Sequence, residues 1–357
     1  METKLANQTT PVNGYGGKQE DIRLFIIQNS RGTKLTVSNC GGAVISLHVK
    51  DRQAVFADVV LGYDDPHACL QDEYYIGTVV GRYANRINGD VVYINDHPYK
   101  LSAKPGGYHH HGGNVGFNKK IFAAKEFKYS GKSGIIFKYT SPHMEEGFPG
   151  ELQLEVIYTL DDDDKWIIEY KAVCDQATQI NLTQHTYFNL SGKPSNSIEG
   201  HELKISGNYY LPVNELQVPT GKLEKVNNTP FDFSTFKKIA QDITQDNEQL
   251  QLSNGYDHSF VLEPPHTAAL KHAAVVKEIS SGRRMDVYTT EPAIHFYSGN
   301  FLENVKGKNG IIYNKRAGFC LETQHFPDAP NQPHFPTTIL NAGENFYSKT
   351  IFEFSVE

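Results

Sequence analysis

Beyond Ile22 the chain reads as strand after strand. Short runs that are apolar, or that alternate apolar with polar, are broken by turn residues about every 8–12 positions, a spacing that belongs to sandwiches and barrels. Residues 91–101 read as a hairpin turning at Asn95-Asp96, and 152–160 with 166–173 as a second, turning through the acidic run 161–165. Helical patterns appear only over 66–71 and over 234–241, the latter after the cap-like Asp232 and Ser234. An all-β chain with few short helices is therefore predicted. Residues 1–19, polar and carrying Gly14, Gly16 and Gly17, are predicted to be a loose tail. With no linker or tandem repeat beyond them, 20–357 is expected to form one domain.

Composition narrows the partners. The 20 Tyr and 20 Phe suit strands and supply a core, and the net charge of −7 comes from acidic and basic residues mixed along the chain. No basic stripe is offered to nucleic acid or anionic lipid, so a small neutral molecule is the expected partner. No apolar run nears the ~18 residues of a membrane helix, and METKLANQTT is not a secretory leader. The cysteines Cys40, Cys69, Cys174 and Cys320 include no CxxC pair, which suggests neither zinc nor a disulfide framework. A reduced, soluble, cytoplasmic protein is expected, either monomer or homodimer.

Chemistry-bearing residues gather where strands meet Gly- or Pro-rich turns. GRYANRING (81–89) holds Arg82, Asn85 and Arg86, types that fork onto vicinal hydroxyls, although a solvated loop reads the same way; its glycines lack phosphate-loop spacing. HHHGGNVGF (109–117) sets His109 and His111 on one strand face. No carboxylate or cysteine stands at a ligand spacing beside them, so no metal is expected. Gly112-Gly113 would let the backbone approach a ligand or another strand. NLTQHTYFNLSG (181–192) puts Asn181, Thr183, His185 and Tyr187 on one face, which is costly unless that face is wet or holds a polar ligand. In GYDHSFVL (255–262) Asp257 is a turn residue or a ligand contact, and in AIHFYSGNF (293–301) His295 shares a face with Tyr297.

The last segment is GFCLETQHFPDAPNQPHFP (318–336). An apolar strand delivers Glu322 and then enters a loop stiffened by Pro327, Pro330, Pro333 and Pro336. Desolvation raises such a carboxyl's pKa and makes it a general base for neutral pH, with a histidine as partner in proton traffic. Glu, His, Asp and Arg beside amides and tyrosines suggest acid–base work on a sugar.

Taken in order, GRYANRINGD, HGGNVGFNK, NLTQHTYFNLSG, GYDHSFVL, HFYSGNFL and CLETQHFPDAPNQPHFP resemble the aldose 1-epimerases, or galactose mutarotases, from about Ile22 to the C-terminus. The resemblance implies a large antiparallel β-sandwich with the sugar in an open cleft on one sheet. It implies interconversion of α and β anomers of a free aldose without metal or organic cofactor. By that resemblance Glu322 and His185 are the catalytic base and acid, ionised and protonated respectively near neutral pH. Asn85, Arg86, His111 and Asp257 would hold the sugar, and Tyr187 would line the cleft. His295 departs from the pattern, which often has glutamine there, so its contact with sugar is open. The Pro-rich loop would fix Glu322. A hexose-6-phosphate epimerase would need more cleft cations than Arg82, Arg86, Lys119 and Lys120 provide. A non-catalytic sugar-binding module would be expected to lack the acid or the base.

Overall fold

The computed structural model describes residues 10–13 and 19–357. Three sheets dominate. The largest has nine strands in the spatial order Ala123–Tyr129, Lys132–Ser141, Leu152–Asp161, Lys165–Cys174, Asn345–Val356, Arg283–Thr289, Lys271–Glu278, Glu202–Ile205 and Lys237–Lys238. All its pairings are antiparallel. A five-stranded sheet (Glu224–Lys225, Gly207–Tyr210, Asp257–Leu262, Ala293–Tyr297, Cys320–Gln324) and a four-stranded sheet (Leu24–Gln28, Lys34–Ser38, Val44–Lys50, Phe56–Asp58) pack with it. One apolar cluster runs from Ile27 and Leu35 through Trp166 to Phe296, Phe319 and Phe354, so all three sheets share a core.

The period-2 pattern explains the packing. In Asn345–Val356 the inward residues are Ser348, Thr350, Phe352 and Phe354, while their neighbours are less buried. Phe352 stacks on Trp166, with centroids 5.2 Å apart, and burying one such ring contributes roughly 2–3 kcal/mol. Both expected hairpins form: Val91–Ile94 pairs with His97–Lys100, and Leu152–Asp161 with Lys165–Cys174.

Four expectations need correction. Residues 234–241 do not form one helix: only Ile239–Gln241 makes a 3-10 turn. Lys237–Lys238 instead adds an edge strand to Glu202–Leu203, and buried Lys237 donates to the Pro230 carbonyl (2.6 Å) and to Asp242 (2.8 Å); these long-range partners override a weak local preference. The α-helix among the described residues is Glu248–Leu252, capped by the Asn247 side chain, which accepts from the N–H groups of Gln249 and Leu250. Within the presumed tail, Thr10–Asn13 pairs with Gln19–Ile22; the tail's other positions, 1–9 and 14–18, lie outside the described residues.

The fourth concerns the thiols: Cys40 and Cys69 form a disulfide across 29 residues of sequence. Spacing along the chain could not show it, because only the fold brings the two turns together. The bridge ties the turn before Val44–Lys50 to the short 3-10 segment Ala68–Leu70, just ahead of Asp72. Cys174 and Cys320 remain free and buried. Denatured without reductant, the protein is expected to titrate as two thiols with a thiol reagent and as four after reduction. Four before reduction would mean that the bridge is not formed. No helix among the described residues is long and apolar enough to cross a membrane.

Candidate active site

Three neighbouring strands of the five-stranded sheet make the floor of the site. Their register sets Ser259 opposite His295 and His295 opposite Glu322; one step along, Asp257 faces Tyr297 and Tyr297 faces Cys320. Because alternate residues of a strand share a face, these six side chains lie on one surface. A cleft opens over this floor, and its lining includes Asn85, Arg86, His111, His185, Asp257, His295 and Glu322.

Glu322 is 1% exposed, and no protein donor reaches its Oε2. A buried carboxyl oxygen without a protein partner is costly to maintain, a cost that a hydrogen-bond donor brought into the cleft would relieve. Burial, and then the negative charge on Asp257, push its pKa well above the carboxylate range, with Arg86 opposing. His185 stands just beyond Thr183–Gln184, its N–H bonded to the Thr78 carbonyl (2.9 Å) and its carbonyl to the Gly77 N–H (3.0 Å). Its Nε2 is 3.6 Å from Glu322 Oε1. Burial lowers the His185 pKa to about 4.

These directions run against the expectation of an ionised Glu322 and a protonated His185. Low dielectric penalises both charges, so the protein surroundings favour a neutral acid beside a neutral imidazole. Either arrangement places one proton on the pair. The pair is therefore a unit able to hold one proton, and its titration belongs to both members.

The wall opposite comes from two segments that fix one another. Arg86–Asn88 pairs with Tyr108–His110, and at their junction Asn85 (φ 63°) and His111 (φ 46°) are both left-handed. Asn85 donates its N–H to His111 Nδ1 (3.2 Å), and the His111 N–H donates to the Asn85 carbonyl (3.1 Å). Gly112 makes this possible: at φ 84° it lies so close to the Gly81 carbonyl that a Cβ would overlap it. Its freedom thus serves another stretch of backbone. Arg86 donates to Gln217 Oε1 (2.7 Å) and sits 4.0 Å from Asp257 Oδ2.

The two arginines of GRYANRING part company. Arg82 turns inward, 2% exposed, and donates to the carbonyls of Pro149 (2.8 Å) and Gly150 (3.1 Å) and to Ser141 Oγ (2.6 Å). It is a structural clamp, and Lys120 is likewise engaged, 2.7 Å from Glu145. Asn181 and Thr183 also leave the expected polar face: Asn181 donates to the Ala84 carbonyl (3.2 Å) and Thr183 to the Thr323 carbonyl (3.0 Å). His185 and Tyr187 remain in the cleft, where Tyr187 offers its ring, its hydroxyl being given to the Tyr74 carbonyl (2.9 Å).

Asp257 and His295 are joined, His295 Nε2 lying 2.7 Å from Asp257 Oδ1. Burial pushes the Asp257 pKa up, but the hydrogen bond from His295, with the charge of Arg86, outweighs it and leaves the carboxyl below its ordinary value.

Sequence reasoning missed several contributors. Tyr75 lies against the ring of His111, centroids 4.6 Å apart, and is steered there by buried Asp72, which accepts the N–H groups of Tyr74 (3.0 Å) and Ile76 (2.6 Å). Asp328, in the Pro-rich loop, donates its N–H to the Arg86 carbonyl and accepts the Asn88 N–H, both at 2.8 Å. That loop thus braces the strand bearing Arg86. Gln217 and Asp328 reach across 131 and 240 residues, and no local pattern announces them.

One nitrogen each of His111 and His185 and an oxygen of Glu322 lie within 4.8 Å of one another, donor types able to hold a cation. Tetrahedral ligands of a zinc-sized ion stand about 3.3 Å apart, so these side chains would have to close in to bind one.

The aldose 1-epimerase family profile matches residues 23–353. The chain is 41% identical over 336 residues to galactose mutarotase of Bos taurus, covering 94% of each protein. It is 34% identical over 341 residues to aldose 1-epimerase of Escherichia coli, covering 95% of this chain and 96% of that one. Among solved structures, a GalM/aldose epimerase homologue from C. elegans superposes with a TM-score of 0.84 at 27% identity, covering 94% of this chain and 99% of the other. Galactose 1-epimerase from Lactobacillus acidophilus gives the same TM-score at 26% identity, covering 98% and 99%. With that match running through nearly every described strand, from the four-stranded sheet to the last strand of the largest, the chain belongs to the aldose 1-epimerase family.

Proposed function

We propose that this protein interconverts the α and β anomers of free aldoses such as galactose and glucose, with Glu322 and His185 as its proton-transfer pair. The observation that carries the assignment is their 3.6 Å approach in a buried cleft, with Glu322 Oε2 left without a protein donor.

A cyclic hemiacetal opens when the C1 hydroxyl loses a proton and the ring oxygen gains one. The C1–O1 bond becomes a carbonyl as the C1–O5 bond breaks, the C1–C2 bond rotates, and the ring closes on the other face. No net proton is consumed, so a pair holding one proton suffices. Glu322 takes the C1 hydroxyl proton in its ionised form while His185 carries the proton that goes to O5; both return on closure. Hydroxyl donors of the bound sugar, aimed at Oε2, stabilise the carboxylate against the burial that otherwise protonates it. Arg86, Asn85, His111 and Asp257 hold the other hydroxyls, so that motion is confined to C1.

A phosphorylated hexose fits less well. Arg82 is spent on backbone carbonyls, Lys120 on Glu145, and Lys119 does not line the cleft, which leaves Arg86 of the four facing it beside the acidic Asp257 and Glu322. Polarimetry on freshly dissolved α-D-galactose and α-D-glucose tests the reading. Accelerated approach to the anomeric equilibrium is expected, at rates whose ratio gives the sugar preference. Folded protein that accelerates neither sugar would refute it.

A further inference from the structure

A hydrogen-bonded row that the acid–base chemistry does not use runs into the cleft wall, where Asp257 and His295 line the cleft and Ser259 stands behind them. Ser259 Oγ is 2.8 Å from His295 Nδ1, and His295 Nε2 is 2.7 Å from Asp257 Oδ1. All three are buried, Ser259 at 2% exposure, His295 at 3% and Asp257 at 8%. The sheet builds the row: Ser259 and His295 are directly opposed, and Asp257 is two residues from Ser259 on the same face.

The polarity of the chain follows from its ends. An ionised carboxylate only accepts, so the Nε2 facing Asp257 carries the hydrogen. In the neutral ring Nδ1 is then an acceptor, and the Ser259 hydroxyl donates to it. Ser259 is not among the residues lining the cleft, and Asp257 lies between His295 and the arginine, so the row is not a hydrolytic triad. Both His295 nitrogens are spoken for, and no polar atom of that side chain is left for a sugar. Asp257 Oδ1 is spoken for too. Oδ2 is different: its nearest cation, Arg86 Nη1, stands 4.0 Å away, beyond hydrogen-bond range, and the residue lines the cleft.

We propose that Ser259 and His295 are positioning residues that act through Asp257, locking Oδ1 so that Oδ2 is presented as a fixed acceptor for one hydroxyl of the aldose. The inference deepens the proposed function and rests on it for the identity of the ligand. It assigns His295 to holding the carboxylate rather than to touching the sugar. A glutamine could serve equally, its carbonyl accepting from Ser259 and its amide donating to Asp257, whereas leucine could do neither.

The test combines kinetics, galactose binding by calorimetry, and the ring-nitrogen NMR shifts of ¹⁵N-labelled histidine. Ser259→Ala leaves Nδ1 without its donor and removes one of the two contacts that hold the ring in place. KM and Kd for galactose are expected to rise about tenfold, the scale of one hydrogen bond to a charged group, with kcat within a few-fold. The ¹⁵N shift of Nδ1 should move to that of an acceptor without a hydrogen bond, while Nε2, still facing Asp257, keeps its hydrogen. His295→Leu should weaken binding similarly and His295→Gln should recover most of the loss. In an Asp257→Asn background, Ser259→Ala should add nothing further, because both changes remove the same contact. Unchanged Kd in Ser259→Ala, losses that multiply with Asp257→Asn, or a fall in kcat at constant KM would each overturn the proposal. Wild type that binds galactose without turning it over would refute the reaction alone, since the binding and tautomer measurements stand without it.

Discussion

Glu322→Gln is expected to lower kcat for galactose mutarotation by roughly 10³-fold, about 4 kcal/mol of barrier, while galactose still binds and the fold melts no lower. The amide keeps the volume and a carbonyl acceptor but cannot take the C1 hydroxyl proton. Stability is spared because no protein group donates to Oε2 and because burial already disfavours the ionised carboxyl, so a neutral isostere costs nothing in the core. Polarimetry, calorimetric binding of galactose and a thermal melt together check this. A variant within tenfold of wild type would remove Glu322 from the base's role.

The second large effect is expected from His185→Asn, which should reduce kcat by roughly 10²-fold or more and reshape the pH profile. In wild type the working form of the pair holds one proton. Activity should therefore rise on the acid side as the second proton leaves, near the lowered His185 value of about 4, and fall on the alkaline side as the last proton leaves. That alkaline limb is displaced upward because burial raises Glu322. In the variant only Glu322 titrates, and its residual activity needs the ionised form. Through the pH range where wild type declines, the variant should climb. A variant profile parallel to wild type would show that His185 is not the carrier of the second role.

Much of this was legible along the chain. Alternation in 91–101 and 152–173 predicted hairpins that form, since turn chemistry and period-2 patterning are local properties. Glu322 was legible because an apolar strand ending on a carboxylate is an anomaly in any fold. Other residues were not. Arg82 and Arg86 are the same type four positions apart, yet one clamps the Pro149 and Gly150 carbonyls and the other enters the cleft. Nothing within GRYANRING separates them, because the difference lies in what packs behind each. Cys40 and Cys69 read as free thiols for the same reason, and Ser259 read as one more strand residue.

The sequence by itself determined the strand-rich class, the residue types able to carry the proposed proton transfer, and the family pattern they stand in. Those depend on side-chain identity and on a periodicity built into the backbone. Only the tertiary structure decided the register that lines up Ser259, His295 and Glu322, the bracing of Arg86 by Gln217 and Asp328, and the protonation that burial imposes on Glu322 and His185. Register between distant strands and the dielectric around a buried group are set by the packing of the whole chain, and no short stretch of it carries that information.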